Sequence, residues 1–255
     1  MGEVRVQCGG ALAVIRLCRP ATLNALDRGM LDGLDAALRQ VEESDAGVVI
    51  VTGEGKCFCS GGDIAAWSKL APDDFAHRWI RHGHRIFDRL ARLRPAAIAA
   101  INGHAMGGGL ELAAACDFRV MEEQARLSLP ETALGMVPGW SGTQRLVRRF
   151  GAQAVRRMAL AGESFGARDA LERGLVDRVA PGGGGLKAAE ALARDILARG
   201  PVAVQTAKLM LAVAEGESAA SATEALAGAA IAATADVREG VAAFAGKRAP
   251  RFKGK

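Results

Sequence analysis

The chain has no tyrosine and only three tryptophans, and aromatic residues fill 4% of its 255 positions. So few rings argue against recognition of single-stranded nucleic acid, which stacks bases on exposed aromatics set among basic residues. No apolar stretch approaches the ~18 residues that span a bilayer. The first twenty residues include Glu3, Arg5, Arg16 and Arg19 and lack the plan of a secretory signal. A cytoplasmic protein with no membrane partner is the expectation. Histidine is scarce, with four residues. His77, His82 and His84 share one helical stretch without the further ligands of a metal set. The five cysteines are an odd number in a chain too long to need disulfide staples, and they read as reduced thiols. Cys57-Phe58-Cys59 lacks the second ligand pair of a zinc site, so no metal is expected.

What is present is a chain 50% hydrophobic and 24% charged, which suits one large globular domain with an appendage. The net charge of +5 fits an anionic partner, whether nucleic acid or a phosphate-bearing group, and equally a plain solvated surface. Charge alone does not choose among them.

Short apolar runs alternate with helical patterns over the first ~200 residues, as in an α/β protein whose strands are buried on both faces. Ala11 to Leu17 reads as a strand. Asn24 is placed to cap a helix carrying Leu26, Met30, Leu34, Leu38 and Val41 on one stripe, and Val48 to Val51 forms a buried strand closed by a turn at Thr52 to Gly55. Phe75, Trp79, Ile86 and Leu90 keep helical spacing between Asp73 and Leu93, and Pro95 stops that helix before a strand from Ala97 to Ile101. The glycine run Gly182 to Gly185 reads as a linker and a candidate boundary, beyond which the chain is Ala-rich and helical.

The segment from Ile101 to Asp117 carries the chemistry. It reads strand, glycine turn, helix, with Gly107, Gly108 and Gly109 bringing bare N–H groups to a helix N-terminus, where free donors and the macrodipole stabilise negative charge. A dinucleotide fingerprint would require glycine where Leu112 stands. A developing oxyanion is therefore favoured over a pyrophosphate. Glu111 in the first helical turn could shuttle a proton beside such a hole, or simply complement the dipole. Cys59-Ser60-Gly61-Gly62-Asp63-Ile64 offers a second turn that could aim another N–H at the same oxygen. Leu129-Pro130-Glu131 supplies a second acid.

The ordered set of Arg19-Pro20, Asn24-Ala25-Leu26, Ser60-Gly61-Gly62-Asp63, the Asn102–Asp117 block, Pro130-Glu131, Glu239-Gly240, Phe244, Lys247-Arg248 and Phe252 resembles the enoyl-CoA hydratase/isomerase (crotonase) superfamily across most of the chain. The resemblance implies an α/β spiral of repeated ββα units over residues 1–195, holding an acyl-CoA site. It further implies a helical C-terminal region over 196–255 that trimerises, commonly into a dimer of trimers.

Within that resemblance, the N–H groups of Gly62 and Gly108 form the oxyanion hole for a thioester, and Glu111 and Glu131 act as base and acid in hydrating a trans-2-enoyl-CoA. Ser60, Asp63, Ile64, Phe244 and Lys247 would contact coenzyme A, which is part of the substrate; no separate cofactor is implied. Phe244 in a helix interface and Lys247 in solvent are the alternative for those two. Isomerisation, decarboxylation and RNA binding are the rival activities within the family. Two departures stand out: Gly62 where many relatives carry alanine, and Trp140 where many carry a small residue. The indole would reshape the acyl pocket or pack beneath its loop.

Overall fold

The computed structural model describes residues 2–217 and 219–255. Two compact units emerge, Met1–Pro201 and Val202–Lys255. In the first, the described residues form ten strands in two sheets: β1 Glu3–Gly9, β2 Leu12–Cys18, β3 Val48–Gly53, β4 Cys57–Cys59, β5 Ala96–Ile101, β6 His104–Met106, β7 Phe118–Glu122, β8 Arg126–Ser128, β9 Ser164–Gly166 and β10 Arg178–Ala180. One sheet has the order β1-β2-β3-β5-β7-β10 and the other β4-β6-β8-β9. Successive strand pairs β3/β4, β5/β6 and β7/β8 each give one strand to each sheet, and this is the spiral of ββα turns. The stacked strands pair in parallel, with antiparallel β1/β2 and β8/β9 at the ends.

The unbroken apolar runs of β3 and β5 follow from burial on both faces. Because strand side chains alternate, Val49, Val51, Ala97, Ala99 and Ile101 enter one core, while Val48, Ile50, Ala96, Ile98 and Ala100 enter another. The first core is shared with the helix Arg28–Glu42, whose Met30, Leu31, Leu34, Leu38 and Val41 are buried. The second is shared with the helix Gly185–Leu197 through Ala189, Leu192 and Ala193.

That second helix corrects the reading of the glycine run. Gly185 opens it, donating its N–H to Glu122 Oε1 at 2.9 Å, and a Cβ there would lie 3.0 Å from Glu122 Cγ. The run is thus a close approach of backbone to β7, well inside the first unit.

Asn24 is corrected too. Asp27 caps the Arg28–Glu42 helix, accepting from Met30 N–H at 2.8 Å. Asn24 is fully buried in the left-handed region at φ 57°, a conformation its short amide tolerates. Its Nδ2 donates to the carbonyls of Cys57 (2.7 Å) and Glu54 (3.0 Å), and its Oδ1 accepts from Arg19 N–H at 2.8 Å. The amide thereby ties three backbone segments together. Leu26 N–H then donates to Gly61 O and Leu26 O accepts from Asp63 N–H, each at 2.8 Å, a parallel bridge to Gly62 that fixes the turn after β4.

The helical stretch before β5 has three parts: Pro72–Asp74, a π-helical Phe75–Ile80, and the α-helix Arg81–Ala91. Such wide turns recur at functional sites because they re-aim side chains. β5 starts at Ala96, directly after Pro95.

The second unit consists of helical segments that include Ala219–Ala232 and Ala235–Ala245. Thr234 caps the last, accepting from Val237 N–H at 3.2 Å, and Glu239 clamps the following tail through Arg248 and Arg251 N–H. No single helix among the described residues is long and apolar enough to cross a membrane.

Candidate active site

The two glycine turns of the first unit touch. Gly107 turns the chain from β6 into the helix Gly108–Ala115 with φ 51°, and its own N–H is held by Ser128 O at 2.9 Å. Gly108 is the first helical residue, so its N–H has no intrahelical acceptor. On the opposing turn, Gly61 has φ 99°, and a Cβ there would come within 3.2 Å of Gly108 N. A Cβ on Gly108 would in turn stand 3.4 Å from Gly62 N. Glycine at both positions lets two backbones approach where side chains would separate them.

Beside this junction lies a cavity of about 280 Å³ lined by Gly62, Gly108, Glu111 and Glu131, and walled by Trp67, Phe75, Trp79, Ile80 and Trp140. All three tryptophans of the chain line it.

Glu111, one turn into the helix, is 3% exposed. Its Oε1 accepts two backbone N–H groups, from Trp140 at 2.7 Å and Gly142 at 2.6 Å. Burial pushes its carboxyl up to about 7, and the negative charge of Glu131 adds to the rise, while the N–H donors of residues 139 to 142 hold it down. A group poised there can both take up and release a proton near neutral pH.

Glu131 follows Pro130 at the head of a short 3₁₀ turn, Glu131–Leu134. Burial raises its proton affinity as well. Its Oε1 sits so close to Gly107 that a Cβ there would lie 2.6 Å away. Its Oε2 is buried and has no hydrogen-bond partner among the described residues.

Behind the loop that grips Glu111, Ser141 adopts φ 76° without being glycine. Its Oγ lies 3.1 Å from His84 Nδ1, and the imidazole stands 3.4 Å from Asp88, which also receives Arg145 Nη2 at 2.7 Å. Ser, His and Asp here form a brace for the loop. Ser141 is 7% exposed and is absent from the cavity wall, which suits a support rather than a nucleophile.

Of the remaining residues singled out from the sequence, Ser60 and Ile64 line the cavity. The Asp63 carboxylate is engaged elsewhere: it caps the short helix Ile64–Trp67 and receives Arg19 Nη1 at 2.6 Å. Phe244 and Lys247 belong to the second unit, where Phe244 is exposed and Lys247 follows in the left-handed region. His77 and His82 pair with Asp73 and Asp32. No group of three or more His, Cys, Asp or Glu among the described residues could hold a metal ion. All five cysteines are free thiols.

Sequence reading missed the walls contributed by Trp67, Phe75 and Trp79 and the N–H clamp of residues 139 to 142. Helical spacing had marked Phe75 and Trp79 as apolar, but only the π-helical turn shows where they point.

Comparison with known proteins agrees with this geometry. Residues 7–255 match the family described as enoyl-CoA hydratase/isomerase. The chain is 36% identical to the 2,3-dehydroadipyl-CoA hydratase of Escherichia coli, over the whole of both chains. It is 40% identical to a putative enoyl-CoA hydratase/isomerase, YngF, of Bacillus subtilis, over 95% of each. The crystal structure of an enoyl-CoA hydratase from Bacillus anthracis superposes with a TM-score of 0.81 at 34% identity, covering 99% of this chain and 100% of that one. Two abutting glycine turns, a buried and a half-buried glutamate beside them and these matches along the chain together place it in the enoyl-CoA hydratase/isomerase family of the crotonase superfamily.

Proposed function

We propose that this protein hydrates trans-2-enoyl-CoA thioesters to 3-hydroxyacyl-CoA, with Glu111 and Glu131 as the catalytic pair and the N–H groups of Gly62 and Gly108 as the oxyanion hole. The observation that carries this reading is the placement of two carboxylates, one buried and one half-buried, on the wall of the same cavity as two abutting glycine turns.

Water adds to an alkene only when the β-carbon is electron-poor. A conjugated thioester achieves this by passing charge to its carbonyl oxygen. Two fixed backbone donors meet that charge without reorganising, and one such donor is typically worth ~3 kcal/mol. As the water oxygen bonds to the β-carbon, Glu111 takes one of its protons. The electron pair of the double bond moves through the α-carbon to the thioester oxygen, and returns when Glu131 delivers its proton to the α-carbon. The base must start ionised and the acid protonated. Two N–H bonds favour the Glu111 anion against its burial, whereas at Glu131 burial outweighs the carboxylate's own backbone N–H and Oε2 accepts no bond.

No separate cofactor enters this scheme, since coenzyme A arrives as part of the substrate. Its phosphates give the net positive charge a partner. A cytoplasmic location and assembly as a trimer or dimer of trimers, with Phe244 and Lys247 near the nucleotide end of coenzyme A, accompany the reading.

The test is loss of the conjugated enoyl-thioester absorbance when the purified protein meets trans-2-butenoyl-CoA, with the 3-hydroxyacyl product identified by mass. If the absorbance persists over a series of acyl lengths, or the product is an isomer of unchanged mass, hydration is the wrong assignment.

A further inference from the structure

Trp140 is seated by three glycines from three different parts of the fold. A Cβ on Gly108 would lie 2.6 Å from its Cζ3, one on Gly62 would lie 3.3 Å from its Cη2, and one on Gly83 would lie 2.5 Å from its Cε2. Gly83 is buried within the helix Arg81–Ala91, an interior position where glycine weakens a helix relative to alanine. The room it leaves is filled by the indole.

The ring is 3% exposed and is held on its other sides by Trp79 and Phe87, each with its ring centroid 5.3 Å away. It is part of the packed core as much as of the cavity, so it acts as a fixed wall and not a gate.

Its position relative to the donor glycines sets the consequence. The edge of the indole stands against both Gly62 and Gly108. An acyl chain leaving a thioester oxygen held between those N–H groups meets Trp140 and Trp79 within its first carbons. The cavity of about 280 Å³ lies just below the range of ~300–1,000 Å³ usual for ligand sites.

We infer that Trp140, seated by Gly83, is the specificity-determining wall that restricts this site to short-chain enoyl thioesters. The inference rests on the acyl-thioester reading of the cavity.

Its test is a series of trans-2-butenoyl-, hexenoyl-, octenoyl- and decenoyl-CoA, with kcat/KM measured for the wild type, Trp140→Ala, Gly83→Ala and the double variant. A methylene that does or does not fit an apolar pocket is worth roughly 10–200-fold. In Trp140→Ala the decenoyl-to-butenoyl ratio of kcat/KM should rise by at least about 10-fold. In Gly83→Ala the new methyl pushes the indole toward the donor glycines, and butenoyl-CoA turnover should fall by at least about 10-fold. The double variant should recover it, because there is no longer a ring to displace. Loss from helix distortion alone would survive in the double variant.

Calorimetric binding of butyryl-CoA and decanoyl-CoA, which cannot be hydrated, separates this inference from the hydration reading. A length preference that shifts in Trp140→Ala without any hydration keeps Trp140 as the wall and removes only the hydratase assignment. An unchanged length ratio, in turnover or in binding, overturns the assignment of Trp140.

Discussion

Replacing Glu111 by glutamine should cost activity and add stability, and the added stability should depend on pH. In the folded protein burial raises this carboxyl from 4.5 to about 7. Below pH 4.5 it is neutral in both folded and unfolded chains, and burial carries no penalty. Above pH 7 it is ionised in both, and the native state bears the full cost of a buried charge. Between those limits the folded chain binds more protons than the unfolded one, so stability falls as pH rises.

At ~1.4 kcal/mol per pKa unit, the rise corresponds to ~3 kcal/mol. Glutamine keeps an oxygen for the Trp140 and Gly142 N–H groups and carries no charge. Its stability relative to the wild type should therefore be nearly equal at pH 4 and greater by up to ~3 kcal/mol at pH 8. For a chain of this size that is ~6–12 °C in midpoint temperature, read by calorimetry at matched protein concentration. Turnover of butenoyl-CoA should meanwhile fall by at least ~10²-fold, the usual worth of acid–base assistance. A stability gap that stays constant from pH 4 to pH 8 would refute the argument that burial dominates at Glu111. Near-normal turnover would remove it from the mechanism.

Other substitutions separate the acid, the scaffold and the loop. Glu131→Gln should lower kcat by at least ~10²-fold while leaving decanoyl- and butyryl-CoA binding close to wild type; an active variant would reassign the proton donor. Asn24→Ala strands one buried and two part-buried backbone groups, at up to ~1–3 kcal/mol each, so the urea midpoint should drop, and an unchanged midpoint would mean the network carries little. At Ser141, with φ 76°, glycine should be tolerated better than alanine by ~1–2 kcal/mol; both variants lose the His84 contact, so a larger fall of kcat in alanine than in glycine, read by stopped-flow turnover, reports the backbone strain alone.

The parts of this protein that were legible in its sequence are those governed by local periodicity. β3 and β5 announce themselves as unbroken apolar runs, the Arg28–Glu42 helix by its stripe, and the helix after Gly107 by three glycines followed by small apolar residues. What stayed hidden depends on partners distant in the chain. Asn24 looked like a helix cap because such residues usually are caps; its bonds run to residues 30 and 33 positions away. β1 alternates exposed and half-buried residues weakly and becomes a strand by pairing with β2. The glycine run at 182 to 185 looked like a linker because composition cannot reveal that Glu122 lies against Gly185.

The same distance problem explains why the loop at 139 to 142 was read only in part. Trp140 serves the site through two separate parts. Its N–H holds Glu111 from 29 positions away in sequence and helps set that carboxyl's proton affinity, while its indole walls the cavity. Any residue except proline keeps the N–H, so the wall can be exchanged without removing the clamp. Gly142 donates a second bond to the same oxygen, and a Cβ there would lie 2.8 Å from Glu111 Cδ, so glycine is required at that position for the carboxylate to sit where it does. On the proposed reading, acyl length and proton transfer would thus be carried by neighbouring residues but by different atoms. Substrate range can change at position 140 while the acid–base pair keeps its geometry.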